Sequence, residues 1–299
     1  MGNYKRRVMR HLAVLGPGLL GGSVALAARA CGAVDRVGLW ARRGEALPEL
    51  RAGKVADLVS NDISDVLRDA DLVVIATPVG ALVDLLDMAL PHLAENAVIT
   101  DVCSVKGAVV AAADAALASA SRKDVAFVGA HPMAGSELTG FAHARADLFS
   151  GAACAITPGS SSTASGEQTV SEFWSSLGCK LIKLDPDHHD VLVAKISHLP
   201  HLCASALVQT AMAEDTAAIQ LAGPGFRDTT RIAAGAPEMW SEILTENREA
   251  VSGVLREHID QLEAVLAKLQ ENDNEGLYRF LHDARNHRAE LPPPSGEKN

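Results

Sequence analysis

The residues best suited to chemistry fall in four short stretches. Leu12 to Ser23 reads LAVLGPGLLGGS, with Gly16, Gly18 and Gly21 in G-x-G-x-x-G spacing. Gly16 permits a tight turn, Gly18 lets an anion reach the backbone, and Gly21 lets a helix lie close to a strand. An apolar run precedes the turn and an alanine-rich pattern follows it. That is strand, turn, helix, and the N–H groups of the helix start, at Leu19 and Leu20, then face a pyrophosphate. A dinucleotide site is the reading. The second stretch is HPMAGSE, where His131 follows the apolar run Val125 to Ala130. A histidine just past a strand end lies at the sheet edge where a nicotinamide points, and its pKa near neutrality suits a general base. A purely structural histidine is the other reading. Third, SHLPH places His198 and His201 three residues apart, on one face if the segment is helical. No further ligand accompanies them, and His188 and His189 point apart on a helix, so no metal site is expected. Fourth, GFRDTTR sets Arg227 and Arg231 among apolar helical runs, where a guanidinium suits a carboxylate. A capping loop with Asp228 paired to Arg227 is the alternative.

The elements that must position these groups alternate. Strand patterns at Arg36–Trp40, Asp71–Thr77, Ala97–Asp101, Val125–Ala130, Ala152–Thr157 and Cys179–Leu184 are separated by helical ones. The expectation is an α/β fold with a doubly wound, mostly parallel sheet. Thr77 and Pro78 then form a loop at the carboxyl end of the sheet, where such sheets bind ligands. Gly159 to Gly166 reads as a polar loop. After the second strand, the position that holds an acid for a ribose 2′-hydroxyl is Ala41, followed by Arg42 and Arg43. That favours a 2′-phosphate, hence NADP over NAD. Solvated loop charges are the alternative. Past Asp185–Asp187 strand signal almost vanishes. Helical runs cover Asp190–Glu214, Pro237–Gln270 and Gly276–Glu290, with a short one near Ile219 and an interruption expected at Pro200. Val251, Val254, Leu255, Ile259, Leu262, Val265 and Leu269 form a stripe that packs internally or on a second subunit. The expected division is 1–185 for dinucleotide binding, 186–290 for an all-helical second domain, and 291–299 for a disordered tail.

Composition limits the function classes. The chain has 299 residues, a formal net charge of −10 and 48% apolar residues. The negative charge argues against nucleic acid. No apolar run reaches membrane-span length, so no membrane partner is expected. Met1–Arg10 is basic without an apolar core, unlike a secretory signal. The five scattered cysteines read as small core residues in a reducing cytoplasm. No internal repeat is visible, and no regulatory domain is expected beyond the helical one.

Taken in order, GPGLLGGS, ATPV, DVCSVKG, GAHPMAGSE, SHLPH and GFRDTTRIA, then Met239–Trp240, resemble the prephenate/arogenate dehydrogenase family of tyrosine biosynthesis. The resemblance runs from His11 to about Arg285. It implies a homodimer formed by the helical domain. It also implies His131 as catalytic base, and Ser104 hydrogen-bonded near the substrate hydroxyl and orienting that histidine. His201 is implied at the substrate, Arg231 on a substrate carboxylate and Trp240 lining the pocket. Two departures are the absent acid after the second strand and Pro224 in the glycine-rich run before Phe226. Prephenate and arogenate differ in a keto against an ammonium group. His201 and Arg227 favour prephenate, while Asp228 and Glu137 are acids within reach of the pocket. The nearest rival is a β-hydroxyacid dehydrogenase using a helix lysine, for which Lys195 is placed. A nucleotide-sensing regulator of the same fold is the non-enzyme rival.

Overall fold

The computed structural model describes residues 9–135, 138–212 and 217–291. The eight strands are β1 (Met9–Leu15), β2 (Val34–Trp40), β3 (Leu58–Ser60), β4 (Leu72–Ile75), β5 (Val98–Asp101), β6 (Ala126–Pro132), β7 (Ala153–Pro158) and β8 (Lys180–Lys183). Their order is β3-β2-β1-β4-β5-β6-β7-β8 in one sheet. Every pairing is parallel except β6 with β7. The strand order reverses between β1 and β4, which opens the crevice used for ligands in such sheets.

Between the strands run α1 (Leu19–Ala30), α2 (Leu47–Ala52), α3 (Ile63–Leu67), α4 (Val79–Ala89), α5 (Gly107–Ser119) and α6 (Ala164–Ser176). Alternation along β1 feeds two cores. Leu12 and Val14 pack with α1 and α6, through Val24, Val170, Phe173 and Trp174. Ala13 and Leu15 pack on the other face with α3, α4 and α5, through Val66, Leu82, Leu86 and Val109. Each fully buried Leu or Val contributes about 1.5–3 kcal/mol, so the sheet is a rigid platform for whatever its edge carries.

Several local expectations change. β6 continues through His131 to Pro132, because β7 runs antiparallel beside it and pairs His131 with Ala155. His131 is therefore a strand residue. The end of the polar segment after β7 is helical: Thr163 caps α6, accepting from Gly166 N at 3.0 Å. Residues 224–230 form a helix. The expected run from 237 to 270 is broken at Asn247, whose φ/ψ of −106°/27° leave the helical basin.

The second half is helical: α7 (Pro186–Val193), α8 (Leu199–Met212), α9 (Ala217–Leu221), α10 (Pro224–Thr230), α11 (Pro237–Glu246), α12 (Arg248–Gln270) and α13 (Asn274–Ala289). The side chain of Asp185 caps α7 by accepting from Asp187 N and His188 N. Pro200 does not break the helix. A π turn over Ala194–His198 absorbs the lost hydrogen bond, so 186–212 is one continuous helix. Its 27 residues make it long and apolar enough to cross a membrane by length and composition, against the expectation that no run reaches that length. Val251 and Val254 of α12 are buried against Ala194. Leu262, Leu266 and Leu269, further along the same helix, are more than half exposed.

Candidate active site

The glycine turn is built as its spacing requires. Gly16 has φ +91°, and a Cβ there would lie 2.8 Å from Ala76 O. A Cβ on Gly21 would collide with the Gly16 carbonyl, whereas one on Gly18 would meet nothing within 4 Å. Gly18 is thus the open side of the cradle. The first bond of the α1 ladder runs from Gly22 N to Gly18 O, so the N–H groups of Leu19, Leu20 and Gly21 precede it. Thr77, across the turn, buries a hydroxyl with no protein partner. An open cradle and an orphaned hydroxyl fit a dinucleotide phosphate. Arg42 and Arg43 are exposed at the end of β2, and neither has an ion-pair partner among the described residues.

At the carboxyl edge of β5 and β6, a buried ion pair holds the strand ends. The Lys106 ammonium, fully buried, pairs with Asp101 and donates to Ala130 O at 3.1 Å. Asp101 also accepts from Cys103 N and Ala130 N. Breaking such a pair costs about 3–5 kcal/mol, since it strands a charge. His131 lies directly after this clamp. Its Nδ1 is 2.9 Å from Nε2 of His189, and His189 Nδ1 is 2.8 Å from Asp190 Oδ1. Asp190 accepts from Lys106 N and Gly107 N at the start of α5. Burial first, then His189, Lys106 and His198, pushes the His131 pKa well below the ordinary value. Ser104, expected to orient His131, is partly buried in the loop before α5, and the ring contact of His131 goes to His189 instead. That follows from α7, which docks on the start of α5 and brings His189 in.

The helical domain supplies the opposite wall. His198 Nδ1 is 3.1 Å from Asn247 Nδ2, which also donates to Asp190 O at 2.9 Å. His201 stacks on Trp240, centroids 3.7 Å apart and planes 10° apart, and its buried Nδ1 has no protein partner. Burial lowers the pKa of His201 as well. Glu242, two residues beyond Trp240 on α11, accepts from Gly80 N at the start of α4, beside Thr77 and Pro78. Helix α11, which carries Trp240, is thereby tied to the start of α4. Arg231 ends α10, exposed and without an ion-pair partner among the described residues. Arg227 donates to Ala222 O rather than to Asp228. Lys195, the lysine of the hydroxyacid-dehydrogenase reading, is exposed and ion-paired with Glu257 of α12 at 3.4 Å. No cluster of metal-ligating side chains occurs among the described residues. Glu137 lies outside the described residues, as does 292–299 of the expected tail.

Two family models cover most of this chain. The prephenate dehydrogenase nucleotide-binding domain matches residues 24–183, and the prephenate dehydrogenase dimerization domain matches 185–283. The chain belongs to the prephenate dehydrogenase family. Prephenate dehydrogenase of Bacillus subtilis (strain 168) is 35% identical over 93% of this chain and 75% of its own length. The crystal structure of prephenate dehydrogenase from A. aeolicus, in complex with hydroxyphenyl propionate and NAD+, superposes with TM-score 0.88 at 28% identity, covering 96% of this chain and all of that one. Synechocystis arogenate dehydrogenase superposes with TM-score 0.82 at 28% identity, over 93% and 99% of the two chains.

Lys106, His189, Asp190 and Asn247 were not singled out for a role at the site by sequence reasoning. The signal for His189 was its neighbour: an acid beside a histidine at the start of a helix. Burial pulls the His198 pKa down to about 4, against 6.5 in an unfolded chain. Between those values the unfolded state binds a proton that the fold refuses, so stability is whole above about pH 6.5 and is lost as pH falls toward 4. His131 acts in the same direction. A melting temperature that stays flat from pH 7 to 4.5 would contradict a neutral buried His198.

Proposed function

We propose that this protein oxidises and decarboxylates prephenate to 4-hydroxyphenylpyruvate with NADP. The carrying observation is His131, buried at the end of β6 and hydrogen-bonded to His189 of the helical domain, which also carries the stacked His201–Trp240 pair. Prephenate carries a ring hydroxyl and, across the ring, a carboxylate. His131 takes the hydroxyl proton, and its depressed pKa keeps it neutral and ready to accept. Gly16, Gly18, Leu19, Leu20, Gly21, Thr77 and Pro78 would hold the nicotinamide cofactor, which would supply the hydride acceptor facing the hydroxyl-bearing carbon. Loss of carbon dioxide then gives an aromatic ring. His201, neutral with a free Nδ1, and Trp240 line the ring pocket; Arg231 holds a carboxylate.

NADP is favoured because Ala41 leaves the ribose 2′ position without an acid and Arg42 and Arg43 are unpaired beside it. Prephenate is favoured because the acids near the site are engaged: Asp190 by two backbone N–H groups and Glu242 by Gly80. Exposed apolar residues on α12 and α13, Leu262, Leu266, Leu269 and Leu281 among them, support a homodimer through the helical domain. Free thiols support a cytoplasmic location.

The test is kcat/KM for prephenate, arogenate and small hydroxyacids, each with NADP and with NAD. Prephenate with NADP is expected to lead, and Arg42→Ala to narrow the NADP:NAD ratio by about tenfold, near 1.5 kcal/mol for a charge-assisted bond. Equal use of the cofactors by the wild type removes the NADP reading. An arogenate preference of about tenfold removes the prephenate reading and points to Asp228 or Glu137 as the ammonium partner.

A further inference from the structure

The base on the nucleotide domain is not self-contained. Its only ring contact of hydrogen-bond length among the described residues comes from the helical domain, through His189. The ring centroids of His131 and His189 are 5.1 Å apart with the planes at 71°, a separation that fits one N–H···N bond between the ring edges. Behind His189 stands Asp190. Its Oδ1 accepts from Lys106 N at 2.7 Å and its Oδ2 from Gly107 N at 2.8 Å. A carboxylate so held can only accept, and the helix start favours its negative charge. The His189 Nδ1, 2.8 Å from Oδ1, must therefore carry a proton. Where that is the only proton on the ring, Nε2 is bare and accepts, and the atom it faces, His131 Nδ1, donates.

We propose that His189 and Asp190 are positioning residues for the base: Asp190 sets the tautomer of His189, and His189 keeps the proton of His131 on Nδ1, so that Nε2 takes the substrate proton. The idea rests on His131 being the base. No second proton moves. The substrate hydroxyl loses its proton to His131 Nε2, while the Nδ1 proton stays on the ring, hydrogen-bonded to His189. The arrangement also makes the base dependent on domain docking. The start of α7 must be seated on the start of α5 for His131 to hold the right tautomer, and Asn247 reinforces that seat through Asp190 O.

The experiment combines ring-nitrogen NMR with kinetics. Protein labelled with 15N-histidine, in the absence of substrate, is expected to show His131 with protonated Nδ1 and bare Nε2, the signals being assigned by their loss in His131→Asn. His189→Gln keeps an acceptor oxygen where Nε2 lies and is expected to hold that tautomer and to keep kcat within about fivefold. His189→Leu keeps bulk and removes the acceptor; it is expected to lower kcat by about 10- to 100-fold, as for other groups that orient a working histidine, with substrate KM nearly unchanged. A wild-type His131 protonated on Nε2, or a His189→Leu enzyme with full kcat, overturns the proposal. Should His189→Leu fail to fold, the wild-type tautomer and the Gln variant decide. A wild type active on neither prephenate nor arogenate overturns the functional reading instead, and the substrate-free NMR result still judges the pairing.

Discussion

His131→Asn is expected to lower kcat by about 10²–10⁴, the usual contribution of a positioned general base, while cofactor and substrate binding stay close to wild type. Asparagine is the informative choice because its amide can still donate to His189 Nε2, so the site keeps its hydrogen bond and loses only the base. Steady-state kcat and KM, with cofactor affinity from fluorescence titration, separate the two effects. The pH profile carries a second signature. His131 must be neutral to accept a proton, and burial holds its pKa well below the ordinary histidine value. Thus kcat/KM is expected to stay flat through the ordinary histidine range and to fall only at more acid pH. Near-normal turnover by the asparagine variant would place the base elsewhere, and a limb centred near 6.5 would mean that the free site is wetter than its burial implies.

How much of this was legible beforehand depended on how local each cause is. The glycine turn is a local device: Gly16 needs a positive φ, Gly18 an open side, and both demands are visible in spacing alone. The sheet was legible for the same reason, since apolar runs between helical ones leave few arrangements. What escaped depends on contacts distant in sequence. β6 extends through His131 because β7, more than twenty residues later, pairs with it. Pro200 looks like a break, yet the packing of the flanking turns makes a π turn the cheaper solution. Asn247 looks like one more helical residue, and only the neighbourhood of His198 and Asp190 shows why the helix stops there. Adjacent on a helix, His188 and His189 are expected to point apart, which argues against a shared metal. They do, with His188 exposed and His189 buried, and the buried one reaches His131.

Arg231→Ala is expected to raise substrate KM strongly and leave cofactor affinity nearly intact. Arg231 stands at the end of α10, where the turn over 231–234 packs on α8, the helix that carries His201. Among the described residues no acid neutralises it, so its guanidinium is available to an incoming carboxylate. Removing a clamp of this kind costs about 2–5 kcal/mol when the pair is buried. Arg231 is exposed before substrate arrives, and solvent screening places the expectation at the lower end, about 2–3 kcal/mol. That corresponds to a rise in KM of roughly 30- to 150-fold at 1.4 kcal/mol per decade. Arg231→Lys separates charge from geometry. Lysine keeps the charge but loses the two-pronged fit to a carboxylate, so it should recover only part of the affinity. An unchanged KM in Arg231→Ala would show that another group seats the carboxylate, with Arg227, one turn earlier on α10, the next cation to test.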